Sequence, residues 1–259
     1  MRIPIYQIDA FSGRVFSGNP AAVCPLEEWL DDAVLQGIAQ ENNLSETAFF
    51  VPEGSGYHIR WFTPVAEVDL CGHATLAASF VIFDYFDKPA NQITFGSRSG
   101  KLTVVREGEL LAMDFPSQPP SSCKIPKELV QGLGRKPLEV LCSEDYLVLF
   151  SREKEVLRLN PDMRMLKELD LRGVIVTAKG DEVDFVSRFF APKFGIDEDP
   201  VTGSAHCALI PYWARKLGKK NMHARQISPR GGELFCKDRG DRVVIAGKAV
   251  KFMEGHITI

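Results

Sequence analysis

The chain has 259 residues, 45% of them hydrophobic and 25% charged, with a formal net charge of −3. That length holds one large domain or two small ones, and the near-neutral balance gives no electrostatic case for nucleic acid or an anionic membrane. Six cysteines lie far apart with no CxxC pair, which predicts reduced thiols in a cytoplasmic protein.

In chain order, Ile3, Ile5 and Ile8 with Tyr6 predict an opening strand, and this alternating N-terminus lacks the apolar core of a signal peptide. A loop through Gly18-Asn-Pro20 leads to a short strand, Ala21 to Cys24. Leu26 to Asn42 has helical spacing at Leu30, Val34, Leu35, Ile38 and Ala39, with acidic residues early and Asn42-Asn43 as its end. Ser45 to Val51 is a strand with Glu46 near its start, and Tyr57 to Phe62 is another. Ala74 to Tyr85 is apolar on every face, which predicts a helix buried inside a sheet. Its apolar core is about half of what a membrane span needs. Ile93 to Phe95, Gly100 to Arg106 and Leu110 to Phe115 follow as hairpin strands, with Glu107-Gly108 as a turn.

Pro116 to Ser122 is the one convincing linker, dividing the chain into 1–117 and 118–259, with the C-terminal strand available to complete the first half. The second half opens on a helix at Pro126 to Gly132. Strands at Glu139 to Leu141 and Tyr146 to Phe150 precede a short helix, Pro161 to Leu169. Gly173 to Ala178 and Val183 to Phe190 are strands. Ala205 to Leu217 is a helix kinked at Pro211, and Gln226 to Ser228, Gly232 to Lys237 and Arg242 to Phe252 form a hairpin-like tail.

One stretch occurs twice. Arg60-Trp61-Phe62-Thr63-Pro64 leads through an acidic segment to Gly72-His73-Ala74, and Arg188-Phe189-Phe190-Ala191-Pro192 leads likewise to Gly203-Ser204-Ala205. Seven residues separate Pro from Gly in the first copy (65–71) and ten in the second (193–202), so the second carries three extra. Two like halves predict a cleft between them as the place for chemistry.

Four groups carry candidate chemistry. Glu46, beside Ala48, Phe49 and Phe50, would lose water on folding, which raises a carboxylate's pKa and suits proton exchange. Residue type and spacing alone favour a plainer role, a strand-start carboxylate turned to solvent. Gly72 and Gly203-Ser204 open helices whose free N–H groups suit an anion, although a Gly also merely punctuates turns. His73 titrates near neutrality but fits a cap or a satisfied core residue as well. Asp199 is placed to orient a ligand amine or hydroxyl, or simply makes an Asx-Pro turn. Cys71 and Thr202, each before its Gly, stand where a two-base racemase would carry two thiols. Here the second is a hydroxyl, so a symmetric pair is not available and Cys71 reads more simply as a small buried residue. Cys71-x-His73 and His206-Cys207 lack a familiar zinc spacing, so no metal is expected. No phosphate loop, dinucleotide fingerprint or nucleophile elbow is present.

Asp9-Ala-Phe11, Gly18-Asn-Pro-Ala-Ala-Val23, Leu44-Ser-Glu-Thr-Ala-Phe49, Arg60-Trp-Phe-Thr-Pro64, Leu70-Cys-Gly-His-Ala-Thr75 and Asp199-Pro-Val-Thr-Gly-Ser-Ala-His206 stand in the order and spacing of the phenazine-biosynthesis PhzF-like family, which the chain resembles over nearly its whole length. The resemblance implies an α+β, diaminopimelate-epimerase-like fold: two pseudo-symmetric halves, each a mostly antiparallel or mixed sheet wrapped around a central helix. It implies a homodimeric isomerase without metal or organic cofactor, acting on a small carboxylated metabolite. Glu46 would shuttle the proton, His73 and Asp199 would position the substrate, and Gly72, Gly203 and Ser204 would bind its anionic group. An epimerase or dehydratase using Cys71 with Thr202, and a non-catalytic binding module, are the competing expectations. The substrate does not transfer with the fold.

Overall fold

A computed structural model of the chain describes residues 1–88 and 90–259. By compactness it divides into two units, Met1–Asp114 with Ala246–Ile259, and Phe115–Ile245.

The first unit contains β1 (Arg2–Ala10), β2 (Asn19–Pro25), α1 (Asp32–Asn42), β3 (Glu46–Glu53), β4 (Gly56–Phe62), β5 (Glu67–Val68), α2 (Gly72–Val81), β6 (Gln92–Gly96), β7 (Leu102–Glu107) and most of β8 (Leu110–Pro116). The second contains β9 (Ser121–Ser122), α3 (Lys127–Leu133), β10 (Glu139–Cys142), β11 (Tyr146–Leu149), α4 (Glu153–Leu157), α5 (Met163–Lys167), β12 (Val174–Lys179), β13 (Phe185–Ala191), β14 (Ile196–Asp199), α6 (Gly203–Leu217), β15 (Asn221–Gln226), β16 (Gly232–Asp238) and most of β17 (Arg242–Gly247). The last strand, β18 (Ala249–Thr258), lies antiparallel to β1, from Arg2 opposite Thr258 to Ala10 opposite Ala249.

Strand pairing shows the duplication directly. In the first unit β2 and β3 are parallel, β3 and β4 antiparallel, and β4 pairs with the short β5 antiparallel and with β6 parallel before β6 turns back into β7. The second unit repeats this order through β11, β12, β13, β14, β15 and β16. Each unit is thus a mixed sheet with one central helix, an α+β fold as the family resemblance implied.

The repeated Arg does the same work in both copies. Arg60 makes a two-pronged pair with Glu67 on β5, both contacts 2.7 Å, and lies over the Phe62 ring. Arg188 makes the equivalent pair with Glu198 on β14, at 2.7 and 2.9 Å, and lies over Phe190. A planar guanidinium matches a carboxylate in two parallel hydrogen bonds, so each Arg fixes the short acidic strand that leads to the central helix. The three extra residues of the second copy are accounted for by a 3-10 turn, Pro192–Phe194, closed by Gly195 at φ 79°.

The central helix α2 packs against β1, β2 and β3. Ala74, Leu76, Ala77, Ala78 and Val81 are completely buried, which is why that stretch is apolar on every face. The helix continues into a single π turn, Ile82–Phe86. Separate apolar clusters fill the units, including Ile5, Leu35, Phe49 and Phe62 in the first and Leu129, Val148, Val176 and Phe190 in the second.

Several elements differ from their expected bounds for local reasons. α1 starts at Asp32, not Leu26, because the Leu26 N–H is used by Phe50 O at 2.9 Å and so continues the strand side of the chain. α5 starts at Met163, where the Asp162 carboxylate accepts the Arg164 N–H at 3.0 Å, so Pro161 lies outside it. α6 is one helix from Gly203 to Leu217 with Pro211 inside it. The expected strand at Gln226–Ser228 ends at Gln226, and the expected strand Arg242–Phe252 is divided at Lys248. Among the described residues, no helix is long and apolar enough to cross a membrane.

Candidate active site

In the first unit, Glu46 opens β3, Cys71 caps α2, and Gly72 and His73 form its first turn. One ligand-capable atom each of Glu46, Cys71 and His73 falls within 4.8 Å of the others. The Glu46 side chain is 14% exposed, which corrects the plainer reading of a carboxylate turned to solvent.

The His73 ring organises the group. Its Nε2 stands 3.1 Å from Glu46 Oε2, close enough for an ion pair but off the hydrogen-bond direction, so neither buried atom has an in-line partner. Its Nδ1 faces Cys71 Sγ at 3.5 Å and Asn19 Nδ2 at 3.3 Å. Burial pushes the imidazole down, but the sulfur and the Glu46 carboxylate beside it push it up, and the result lies well above the ordinary histidine value. Burial and the same carboxylate push the Cys71 thiol up, against the pull of His73. With the thiol protonated, the Glu46 carboxylate is the charge that sustains an imidazolium. A buried thiol held in this way is a poor nucleophile at neutral pH, which weakens the expectation of a thiol base. The three donors also suit a single metal ion poorly as they stand, since Glu46 and Cys71 approach opposite nitrogens of the ring and one ion cannot take both edges.

Asn19 is the partner that sequence reasoning missed. It is fully buried at the start of β2. Gly18 places it: the glycine has φ 72°, and a Cβ there would stand 2.2 Å from Ala10 O. Its signal was the Gly18-Asn-Pro20 string, which read as a loop and as part of a family string but gave the Asn no role.

In the second unit, Asp199 ends β14, Thr202 precedes α6, and Gly203 and Ser204 begin it. Thr202 Oγ1 donates to Asp199 Oδ2 at 2.5 Å and so does not cap the helix. Gln226, 1% exposed, clamps this turn: its Oε1 accepts the Thr202 N–H at 2.9 Å, and its Nε2 donates to Asp199 O at 2.8 Å and Thr202 Oγ1 at 3.1 Å. Ser228 Oγ donates to Pro200 O at 2.8 Å. Ser204 Oγ accepts from Arg172, whose guanidinium also grips Asp145 at 2.9 and 2.5 Å. Gln226 and Arg172 carried no sequence signal because their partners lie 24 to 32 residues away. His206, one turn into α6, is buried and pushed down to about 4, with its Nδ1 2.8 Å from Thr202 O.

Both helix starts share one property: neither has a side-chain hydrogen-bond cap. The first-turn N–H groups and the positive end of the helix dipole therefore remain able to meet a negatively charged group.

A family model described as phenazine biosynthesis-like protein, PhzC-PhzF, matches residues 8–255. The chain belongs to this family. An uncharacterized isomerase of Pseudomonas aeruginosa is 56% identical over 260 residues, covering 100% of both chains. A human phenazine biosynthesis-like domain-containing protein is 41% identical over 287 residues, again covering 100% of both. The crystal structure of a PhzF-family protein from Enterococcus faecalis superposes with a TM-score of 0.98 at 50% identity over 100% of each chain. A predicted epimerase from Pseudomonas aeruginosa shares the fold, with a TM-score of 0.76 at 19% identity over 99% of each chain.

Proposed function

We propose that this PhzF-like protein is an isomerase that moves a proton within a small carboxylated, unsaturated amino or hydroxy acid by general acid/base catalysis. The observation that carries the reading is the Glu46–His73 pair at an uncapped helix start, its two facing atoms buried and without an in-line hydrogen-bond partner. The isomerase name of the 56% identical relative supports the reaction class.

Glu46 takes the proton from a carbon made acidic by neighbouring unsaturation and returns it elsewhere on the same face. Between these steps Glu46 is the neutral acid, and the His73 imidazolium beside it stabilises the carboxylate before the first step and after the second. A positioned acid/base group of this kind contributes roughly 10²–10⁴-fold, and fixed orientation of the substrate supplies much of the rest. The reading gives anion binding to the uncapped helix starts, at Gly72 in the first unit and at Gly203-Ser204 in the second, and a polar substituent to Asp199. It also makes the enzyme a cytoplasmic homodimer acting with its own side chains alone.

The test is Glu46→Gln, an isosteric change that removes the base. Turnover of a substrate found by screening carboxylated acids falls at least 100-fold while its calorimetric affinity changes little. Full turnover in the variant overturns the assignment.

A further inference from the structure

Once the His73 imidazolium loses a proton, its pairing with Glu46 depends on which ring nitrogen keeps the other, and Asn19 decides it. We infer that Asn19 fixes the tautomer of His73, donating its side-chain N–H to Nδ1 so that the ring proton stands on Nε2, the edge facing Glu46.

The argument starts from the donor inventory. A side-chain amide nitrogen only donates, and it stands 3.3 Å from Nδ1. The Cys71 sulfur, 3.5 Å from the same nitrogen, is a weak donor while protonated. Both neighbours want a lone pair on Nδ1. The Glu46 carboxylate, 3.1 Å from Nε2, only accepts when ionised and wants a proton there. The three groups approach from β2, the helix cap and β3, and together they favour the Nε2–H form over the alternative. A proton on Nδ1 would meet the amide N–H head on unless the amide turned over.

The backbone that carries the amide has little freedom to move. Asn19 is fully buried, its backbone is paired opposite Ala10 on β1, and the preceding Gly18 sits against Ala10 O in a conformation that side chains rarely adopt. The strand therefore delivers the amide to the ring, and the amide sets the proton. Asn19 is a positioning residue in this account, acting on the substrate only through His73.

The functional weight of the inference rests on the acid/base reading of Glu46 and His73, but the tautomer does not, and the experiment separates the two. Protein labelled with ¹⁵N-histidine is examined by long-range proton–nitrogen spectra from pH 6 to 10.5, with His73→Gln used to assign its signals among the five histidines. In the wild type, the neutral ring at the alkaline end carries its proton on Nε2. In Asn19→Ala the neutral ring becomes a mixture of tautomers, and the titration midpoint rises by about one pH unit, the scale of one hydrogen bond. Asn19→Asp, which offers an acceptor, raises the midpoint further.

A neutral wild-type ring protonated on Nδ1 overturns the inference. So does a ring still doubly protonated at pH 10.5, or an Asn19→Ala protein with wild-type tautomer and midpoint. If the tautomer shifts in Asn19→Ala while substrate isotope exchange keeps its wild-type rate and pH profile, the inference stands and the acid/base reading fails.

Discussion

Replacing Arg188 by Met tests the energetic role of the duplicated motif. The guanidinium, 9% exposed, is held by both Glu198 oxygens at 2.7 and 2.9 Å and donates to Val156 O at 3.1 Å and Leu159 O at 2.8 Å. Met fills much of the volume and keeps the contact with the Phe190 ring, but it strands a Glu198 carboxylate whose side chain is 15% exposed. Breaking a buried pair on one side costs on the order of 3–5 kcal/mol, because the remaining charge is uncompensated. At roughly 2–4 °C per kcal/mol for a chain of this size, the melting temperature falls by about 6–20 °C. Arg60→Met gives the internal control, since Arg98 also pairs with Glu67 at 2.7 Å and remains after Arg60 is gone. Among the described residues Glu198 pairs with no second cation. Urea denaturation of the two variants should therefore show the larger loss for Arg188→Met, with Arg188→Lys in between. An equal loss in both, or a loss below about 1 kcal/mol for Arg188→Met, refutes the argument that these arginines hold the acidic strands in place.

Gly18→Ala puts a methyl group against Ala10 O in a left-handed backbone. It should cost at least about 1–3 kcal/mol in urea melts and lower activity through Asn19; a neutral effect contradicts the placement. His206, held down to about 4 against an ordinary 6.5, makes the unfolded chain bind the extra proton first. Stability is therefore lost as pH falls from about 6.5 to 4, by roughly 3 kcal/mol, and His206→Gln should flatten that slope in melting temperatures. His73 contributes with the opposite sign, since its raised value gives stability that is complete below about 6.5 and lost as pH rises through the folded-state midpoint. Cys71, buried and pushed up, should be among the last cysteines alkylated by iodoacetamide at pH 7 by peptide mass mapping. Rapid alkylation with loss of activity, prevented by a bound carboxylic acid, would restore the thiol-base alternative.

The duplication was legible because it is written in side chains with one best partner. An Arg before two aromatics pairs with an acid a few residues on, and both copies show it. The helix apolar on every face was legible too, since only burial on all sides permits Ala77, Ala78 and Val81 together. The short strands β5 and β14 were not, because segments of two and four residues carry no periodicity of their own and form strands only against β4 and β13. Leu26 to Asp31 has helical spacing yet is claimed at Leu26 by a hydrogen bond to a residue 24 positions away. The site divided in the same way. Glu46, His73, Gly72, Asp199, Gly203 and Ser204 stand in recognisable strings with a role attached, whereas Asn19, in a string that assigned it none, and Gln226 act across 54 and 24 residues. An isolated amide side chain does not announce its partner.

The central claim is that Glu46 moves a proton on a bound carboxylated acid. It is tested most directly by incubating wild type and Glu46→Gln side by side in deuterium oxide with a panel of small unsaturated amino and hydroxy acids, and weighing the products by mass spectrometry. Deuterium incorporated by the wild type alone is the predicted result. Equal incorporation by both proteins, or tight binding of a panel member by the wild type with no label in it, would contradict the claim.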